Sequence, residues 1–146
     1  MPIRALPQRP TTLALDAPRA ATLPLGGGEL VFVVRNAGAA PAMDVEVVVD
    51  LQGDVLIVGS DVAWQRDATG SVARLLVGAL DPSSGFEVAL PLFRSRRIGV
   101  GAPAARVALS ISVRSANAPA VARQVTVDVP EGVAGAAHPG RNTVFS

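Results

Sequence analysis

The sequence predicts an all-β protein in which two sheets of antiparallel strands pack face to face. Apolar residues alternate with polar ones at a period of two in several short segments. The 14 glycines and 12 prolines recur between these segments, where they favour tight turns and leave little room for helices. The chain is 49% hydrophobic and 17% charged, so it is too apolar for a disordered protein. About seven to eight strands in one domain are expected.

The first strand candidates lie in the N-terminal third of the chain. Residues 11–17 and 21–25 form two short apolar segments. Residues 29–36 are apolar on both faces of the alternation, which predicts a central strand buried on both sides. Residues 43–50 place valines on one face and mostly acidic residues on the other, which predicts a half-buried strand.

The connection between the last two of these strands has the composition of a turn. Asn36 and Gly38 tolerate a positive φ, and Pro41 cannot continue a central strand. A short strand is expected at residues 55–59, after another glycine. Residues 71–80 then predict a strand that ends at the turn sequence Asp-Pro-Ser-Ser-Gly.

Residues 86–93 place Phe86 and three aliphatic side chains on one face, which is expected to be core. Pro91 lies on the other face and indicates a sheet edge or a bulge near the end of this strand. Residues 105–115 and 120–129 form the last predicted pair. In the second of these, Arg123 falls among the inward valines, which predicts a bulge near it.

Charged residues suggest how two of the strands are paired. If the strand with Asp44 and Glu46 lies beside the strand with Arg106 and Arg114, acids and arginines alternate on one outer face. Each such pair contributes only about 0.2–1 kcal/mol, so it acts on register more than on stability. The same face could equally be a polar assembly surface.

The predicted sandwich has an arm at each end of the chain. Residues 1–10 form a Pro-rich N-terminal arm, residues 11–130 the sandwich, and residues 131–146 a flexible Gly/Ala linker with a short β-prone tip. No segment approaches the ~20 apolar residues that span a bilayer. Prolines and Asp16 interrupt the N-terminal segment, so no recognisable signal peptide is expected.

Turn residues give the sequence a family resemblance. The stretches "LVFVVRNAGAAPAMDVEVVVDLQGDVLIVGSD" and "LLVGALDPSSGFEVALPLFRS" resemble the immunoglobulin-like repeat of the DUF11 and CARDB type, which occurs in prokaryotic surface proteins. The residues that carry the resemblance are Asn36, Gly38, Asp50, Leu51, Gly53, Gly78, Leu80, Pro82 and Gly85. Gln52 stands where the family usually has proline. The resemblance covers roughly residues 12–129 and implies an immunoglobulin-like sandwich and a cell-envelope or extracellular location, but no activity.

The sequence contains few residues suited to catalysis or to binding a cofactor. Neither a catalytic site nor a cofactor is predicted. Cysteine is absent, which excludes thiolate catalysis and disulfides. The single histidine, His138, lies in the Gly/Ala linker, where no packed neighbours would orient it. A non-enzymatic protein is therefore expected.

Two features leave a ligand-binding alternative open. Asp50, Asp54, Asp61 and Asp67 fall in one region of predicted loops, where their oxygens could hold calcium, although turn formation is the commoner role. Trp64 could be an exposed platform for carbohydrate, but a lid over the core is favoured. The alternative function is thus a calcium- or carbohydrate-binding adhesion module.

Candidate partner contacts lie in a loop and in the C-terminal tip. Arg94, Arg96 and Arg97 could bind carboxylates of a protein partner. Val144 and Phe145 could add to the sheet edge of a neighbour. Nucleic acid is not expected, since the net charge is only +1 and no aromatic residues are interleaved with the arginines.

These observations favour a structural or protein-interaction module. It would be a building block or accessory subunit of a larger assembly, such as a cell-envelope layer, an appendage, a particle or a membrane complex. Its partners would be proteins, including further copies of itself, and any membrane association would pass through a partner.

Overall fold

The computed structural model describes residues 9–53, 55–59, 63–94 and 104–131. They form an all-β sandwich of ten strands in two sheets, as the alternation predicts. The strands are β1 (Leu13–Asp16), β2 (Ala20–Thr22), β3 (Gly28–Asn36), β4 (Ala42–Asp50), β5 (Leu56–Val58), β6 (Gln65–Arg66), β7 (Val72–Leu80), β8 (Gly85–Arg94), β9 (Ala105–Ser115) and β10 (Ala118–Val129). Only β6, of two residues, has no counterpart among the predicted strands.

The two sheets differ in size. The smaller has the order β1-β3-β8-β5 and the larger the order β2-β10-β9-β4-β7-β6. All pairings are antiparallel except that of β2 with β10. Most of residues 1–10 and 131–146, the two predicted arms, lie outside the described residues. Within the described part, no helix is long and apolar enough to cross a membrane.

The core lies between the sheets and consists of the inward half of each alternation. In the smaller sheet Phe32 of β3 lies opposite Val88 of β8. In the larger sheet Val47 of β4 has Leu75 of β7 on one side and Val113 of β9 on the other. All five side chains are buried. Each contributes about 1.5–3 kcal/mol of transfer free energy, and together such residues offset the entropy lost by the ordered backbone.

The prediction that β3 is buried on both faces is wrong. Its burial alternates strictly, and Val31 on the outer face is 45% exposed. The strand is central in its sheet, but no second layer of described residues covers the outer face of that sheet. Both faces are apolar in the sequence, so composition alone could not reveal which face was covered.

Two predictions for β8 need correction or refinement. Val88, Leu90 and Leu92 are buried as expected, but Phe86, the second residue of the strand, is 38% exposed. Pro91 lies in an interior strand, at the point where the neighbouring β5 ends. Its carbonyl oxygen accepts a hydrogen bond from the backbone N–H of Gly59 at 2.9 Å. The N–H that proline lacks would face the same side, beyond the last β5 residue.

Arg123 keeps the regular register of β10, opposite Ile111. The irregularity in this strand lies between Ala118 and Val121, on the N-terminal side of Arg123. Arg123 faces inward at the side of the sandwich, and its Nη2 donates a hydrogen bond to the carbonyl oxygen of Leu15 at 3.0 Å. This contact connects β10 of the larger sheet with β1 of the smaller sheet.

Gln52 adopts a conformation that proline cannot. Its φ is 51°, and its backbone N–H donates to Oδ1 of Asp50 at 2.9 Å. Proline has a φ near −65° and no N–H. The turn at Gln52 is therefore one that proline could not form at this position.

One end of the sandwich is held by two asparagines. Asn36 is 1% exposed, and its side chain binds Thr11, Gly38 and the carbonyl oxygens of Ala40 and Leu80. At the same end Asn117 accepts from the backbone N–H of Met43 and donates to the carbonyl oxygens of Arg9 and Pro41. We call this the asparagine end. β10 finishes at the opposite end, beside the last residue of β8.

Candidate functional site: an open side of the sandwich

The described residues cover one long side of the sandwich over only half its length. β5 pairs with the last residues of β8, from Leu92 to Arg94, and β6 pairs with Ala73 and Arg74 of β7. Towards the asparagine end, no described strand pairs with the outer edge of either β7 or β8. We call these uncovered parts, residues 75–80 of β7 and 85–88 of β8, the open side.

Hydrogen-bond directions show which β8 groups face the open side. The carbonyl oxygen of Pro91 accepts from Gly59, and that of Ala89 accepts from Nε1 of Trp64 at 3.1 Å. Backbone groups alternate in direction along a strand, so the N–H and C=O of Glu87 point to the same side. Among the described residues, none donates to or accepts from Glu87 there. β8 therefore presents an unpaired strand edge.

β7 presents a second edge beside the first. The carbonyl oxygen of Val72 accepts from the backbone N–H of Asp67 on the β6 side, which places the backbone groups of Leu76 on that side as well. The Leu76 side chain is 70% exposed. Beyond it the register with β4 shifts at Gly78, whose φ is 88°. The shift is a bulge, which bends the strand.

Exposed apolar side chains accompany the two unpaired edges. Leu76 lies on β7, and Phe86 lies on β8 next to Glu87. An extended peptide that pairs with a strand edge gains backbone hydrogen bonds, and its alternate side chains can bury such neighbours. This combination makes the open side a candidate docking site for an extended segment.

Trp64 marks the boundary of the open side. It is 5% exposed and belongs to the core, so the predicted lid is confirmed. Its indole N–H donates a hydrogen bond to the Ala89 carbonyl oxygen, at the point where β5 no longer covers β8. A buried indole cannot form an exposed platform for a sugar ring, so the carbohydrate alternative loses its main residue.

The outer face of the smaller sheet carries a second apolar surface next to the open side. Val31 lies opposite Ala89, and Phe93 lies opposite Ile57. The Phe93 ring is 36% exposed. It fits against Gly27 and Gly59, where an added Cβ would come within 2.3 Å of the ring. The ring is therefore fixed in place, and it extends the apolar area towards the opposite end of the sandwich.

Of the predicted partner contacts, only Arg94 lies among the described residues. Its Nη1 donates to the carbonyl oxygen of Pro130 at 2.7 Å, which ties the end of β8 to the end of β10. Arg96, Arg97, Val144 and Phe145 lie outside the described residues, as does His138.

The loop aspartates that the structure describes form turns. Asp50 accepts from Gln52, and Asp67 accepts from the backbone N–H groups of Ser71 and Val72 at 3.0 and 3.3 Å. Desolvation alone would raise the pKa of Asp67, but hydrogen bonds from Val72, Thr69 and its other neighbours outweigh it and hold this pKa below the ordinary value. Asp54 and Asp61 lie outside the described residues. Within the described ranges no group of three or more His, Asp or Glu side chains is arranged to hold a metal.

The outer face of the larger sheet carries the predicted charges. β4 and β9 are neighbours, and Glu46 lies opposite Arg114. The ion pairs differ from the expected ones, because Glu46 approaches Arg74 of β7 at 4.0 Å and Arg106 binds Asp128 of β10 at 2.8 Å. These exposed pairs add little stability.

The sequence reasoning did not identify the open side. One signal was present in "ARLLVGAL", because two consecutive leucines cannot both face the core of a regular strand. Leu75 is buried and Leu76 is exposed. The extent of the cover given by β5 and β6 depends on loop paths that the sequence pattern does not encode.

Comparison with known proteins identifies the fold. No family model matches the chain, and no curated protein matches it. A chain of the type I cohesin–dockerin complex Coh-OlpC-Doc435 from Clostridium thermocellum has a TM-score of 0.54 and 8% identity, over 87% of this chain and 99% of that chain. The corresponding Coh-OlpA-Doc918 complex gives a TM-score of 0.50 and 8% identity, over 81% and 99%.

A third similar structure is AvmM, described as catalysing macrocyclisation in alchivemycin A biosynthesis. Its TM-score is 0.47 at 13% identity, over 87% of this chain and 92% of that chain, and at this level the likeness carries no argument about activity. The similarities to the two cohesin–dockerin complexes therefore establish a β-sandwich fold and nothing further.

Proposed function

We propose that this protein is a non-enzymatic interaction module, a building block or accessory subunit of a larger assembly, which docks an extended segment of a protein partner on its open side. The main observation behind this proposal is the pair of unpaired strand edges. There the backbone groups of Glu87 and Leu76 have no partner among the described residues. Natural sheets usually protect such edges with charge, proline or a covering segment. On β7 an exposed leucine lies at the edge instead, whereas the β8 edge carries the charged Glu87.

Three further observations support this proposal. The buried polar side chains of the described residues, Thr11 and Asn36, bind one another and so are occupied structurally. The resemblance to DUF11- and CARDB-type repeats favours a structural role at the cell envelope. The two similar cohesin–dockerin structures are complexes between protein modules, so the same fold can present a docking surface.

The predicted partner contacts are part of this proposal. Arg94, Arg96 and Arg97 are proposed to bind carboxylates of the partner. Arg94 lies at the far end of the covered half of β8, away from the open side. Val144 and Phe145, which lie outside the described residues, are proposed to contact the sheet edge of a partner.

The experiment uses the absence of cysteine, which allows one photo-crosslinker to be placed at a chosen position. Leu76→Cys and Glu87→Cys place it on the open side. Gln124→Cys, on an exposed position of β10, is the matched control. In an extract of the source cells, the two open-side variants are expected to give the same discrete protein adduct, and the control is not.

Competition then tests whether the adduct depends on the edge. Unlabelled wild-type protein should suppress the adduct, whereas unlabelled Leu76→Lys should suppress it much less, because a charge on the edge opposes strand addition. Adducts of equal yield at Gln124, or equal suppression by both competitors, would contradict the proposal.

A further inference from the structure

The unpaired edge of β8 is short and lies at the start of the strand. The carbonyl oxygens of Ala89 and Pro91 already accept hydrogen bonds on this side. Backbone groups of alternate residues point the same way, so the N–H and C=O groups of Gly85 and Glu87 also face the open side. Among the described residues these groups have no partner, and β8 has no residue before Gly85.

A second copy of this chain offers an edge of matching length. Around a twofold axis perpendicular to the sheet, β8 of one copy runs antiparallel to β8 of the other. If the axis passes beside Phe86, Gly85 of each copy lies opposite Glu87 of the other, and each such pair exchanges two backbone hydrogen bonds. The strand of the second copy then ends before it reaches the Ala89 carbonyl oxygen, which the Trp64 indole already binds.

The outer face of the sheet brings opposite charges together in this register. Gly85 has no side chain, and the Arg35 side chain of β3 lies across it, since a Cβ added at Gly85 would come within 3.2 Å of Cγ of Arg35. Arg35 donates from Nε to Asp16 at 2.8 Å, and its Nη groups have no partner among the described residues. The carboxylate of Glu87 from the second copy would therefore meet this guanidinium above Gly85.

The inner face favours the same register. Phe86 lies opposite the buried Val34, so its ring faces inward, but it is 38% exposed at the edge. With the axis beside it, the rings of the two copies form a directly opposite pair and cover one another. An axis at Glu87 would instead place two like charges opposite each other and would require the occupied carbonyl oxygen of Ala89.

The edge of β7 contacts the second copy through a turn. Residues 81–84 join β7 of the larger sheet to β8 of the smaller sheet, so this turn crosses between the sheets just before Gly85. In the second copy it would lie against the part of β7 that carries Leu76, which is 70% exposed. Both edges of the open side then contact the same partner.

From this geometry we infer that the open side binds a second copy of this chain, with β8 of each copy as the extended segment that docks on β8 of the other. The inference rests on the proposed function of the open side and names its partner. In the dimer the two smaller sheets join into one continuous sheet. The overlap of the strands is short, so the association is weak and reversible.

Charge reversal tests the contact between the copies. Sedimentation equilibrium of the full chain from about 10 μM to about 1 mM measures the dimerisation constant. Glu87→Arg brings two arginines together and should weaken dimerisation at least about tenfold, and Arg35→Glu should do so by bringing acids together. A variant that carries both substitutions restores opposite charges and should recover to within about threefold of the wild type. A loss of monomer stability would not be rescued in this way.

A cysteine at the axis tests the register. The chain contains no cysteine, so a single introduced thiol can form a disulfide only between two copies. Phe86→Cys should do so under mild oxidation, because residues of a non-hydrogen-bonded pair have Cα atoms about 4.5 Å apart. Val31→Cys is the matched control, since Val31 is 45% exposed on the outer face of the same sheet. It should remain unlinked at the same concentration.

A wild-type chain that is monomeric at about 1 mM would overturn the inference. A dimer that neither charge reversal weakens would also overturn it, as would equal disulfide yields in Phe86→Cys and Val31→Cys. If one of these results is found while Leu76→Cys still yields a specific adduct with a different protein, only the identity of the partner is wrong and the docking function stands. Loss of the adduct as well would remove both.

Discussion

Asn36 shows how a single side chain can hold one end of a sandwich together. Its Oδ1 accepts from Oγ1 of Thr11 at 2.8 Å and from the N–H of Gly38 at 3.0 Å. Its Nδ2 donates to the carbonyl oxygens of Ala40 and Leu80 at 2.8 and 2.9 Å. The segment before β1, the turn after β3 and the end of β7 therefore meet at one amide. Because both ends of the amide are used, only asparagine satisfies this site fully.

Asn36→Ala is expected to lower the free energy of unfolding by about 2–4 kcal/mol, because buried polar groups lose their partners. Urea denaturation measures the change. Asn36→Asp is the matched variant: it keeps the acceptor for Thr11 and Gly38 but cannot donate when ionised. It should destabilise the protein at least as strongly at pH 7. A loss below about 0.5 kcal/mol in Asn36→Ala would contradict this role.

Asp67 predicts a local dependence on pH. Its folded pKa lies below the ordinary carboxyl value, since hydrogen bonds from Val72 and Thr69 outweigh the opposing effect of desolvation. The stability that these bonds provide is fully present above the unfolded pKa and is lost as the pH falls through the lower folded pKa. An NMR titration of the Asp67 carboxyl carbon should give a midpoint below the ordinary value. Thr69→Val should move the midpoint upward, and a wild-type midpoint at or above the ordinary value would refute the expectation.

At the scale of elements, the segment with β5 and β6 decides where the open side begins. β5 extends the smaller sheet and β6 the larger one, and Trp64 lies between them in the sequence. The Trp64 indole packs into the core and donates to the Ala89 carbonyl oxygen. This one residue thus closes the covered half of the side and protects one acceptor of the β8 edge.

Two substitutions of Trp64 separate packing from hydrogen bonding. Trp64→Phe retains an aromatic lid but loses the bond to Ala89, and should cost about 1 kcal/mol for the hydrogen bond plus a small packing loss. Trp64→Ala also leaves a cavity and should cost about 3–5 kcal/mol. Thermal or urea unfolding followed by circular dichroism measures both. Equal losses of stability in the two variants would show that packing of the aromatic ring contributes nothing to the free energy of unfolding.

At the scale of the whole molecule, most strands that pair are far apart in the sequence; the exceptions are the consecutive pairs β6–β7 and β9–β10. Phe32 of β3 lies opposite Val88 of β8, and Ala20 of β2 lies opposite Thr126 of β10. Such pairings close long loops before any contact is gained, which makes folding slow. The single tryptophan, buried in the core, reports on this process directly.

Refolding is expected to take milliseconds to seconds, as for other sandwiches dominated by non-local pairs. Stopped-flow fluorescence of Trp64 measures the rate, in a double-jump experiment that starts before proline isomers equilibrate in the unfolded state. The absence of cysteine removes any phase due to disulfide exchange. Folding within microseconds would be inconsistent with this topology.

The sequence by itself determined most of the strands and, for β4 and β9, the face that each buries. The valines of residues 43–50 and the alternation of residues 105–115 predict β4 and β9 closely, because a period of two is a local property of an extended chain. The turns at Asn36 and at residues 81–84 are local as well, since each depends on the conformations that a few residues allow.

Only the tertiary structure decided which edges remain open. Val31 and Phe86 were expected in the core, but their exposure depends on whether another layer or strand reaches them. Whether the backbone groups of Glu87 find a partner among the described residues depends on where β5 stops, and the described part of the β7 edge beyond Arg74 stays unpaired because β6 has only two residues. Strand pairing joins residues remote in the sequence, so no local pattern specifies where a sheet ends.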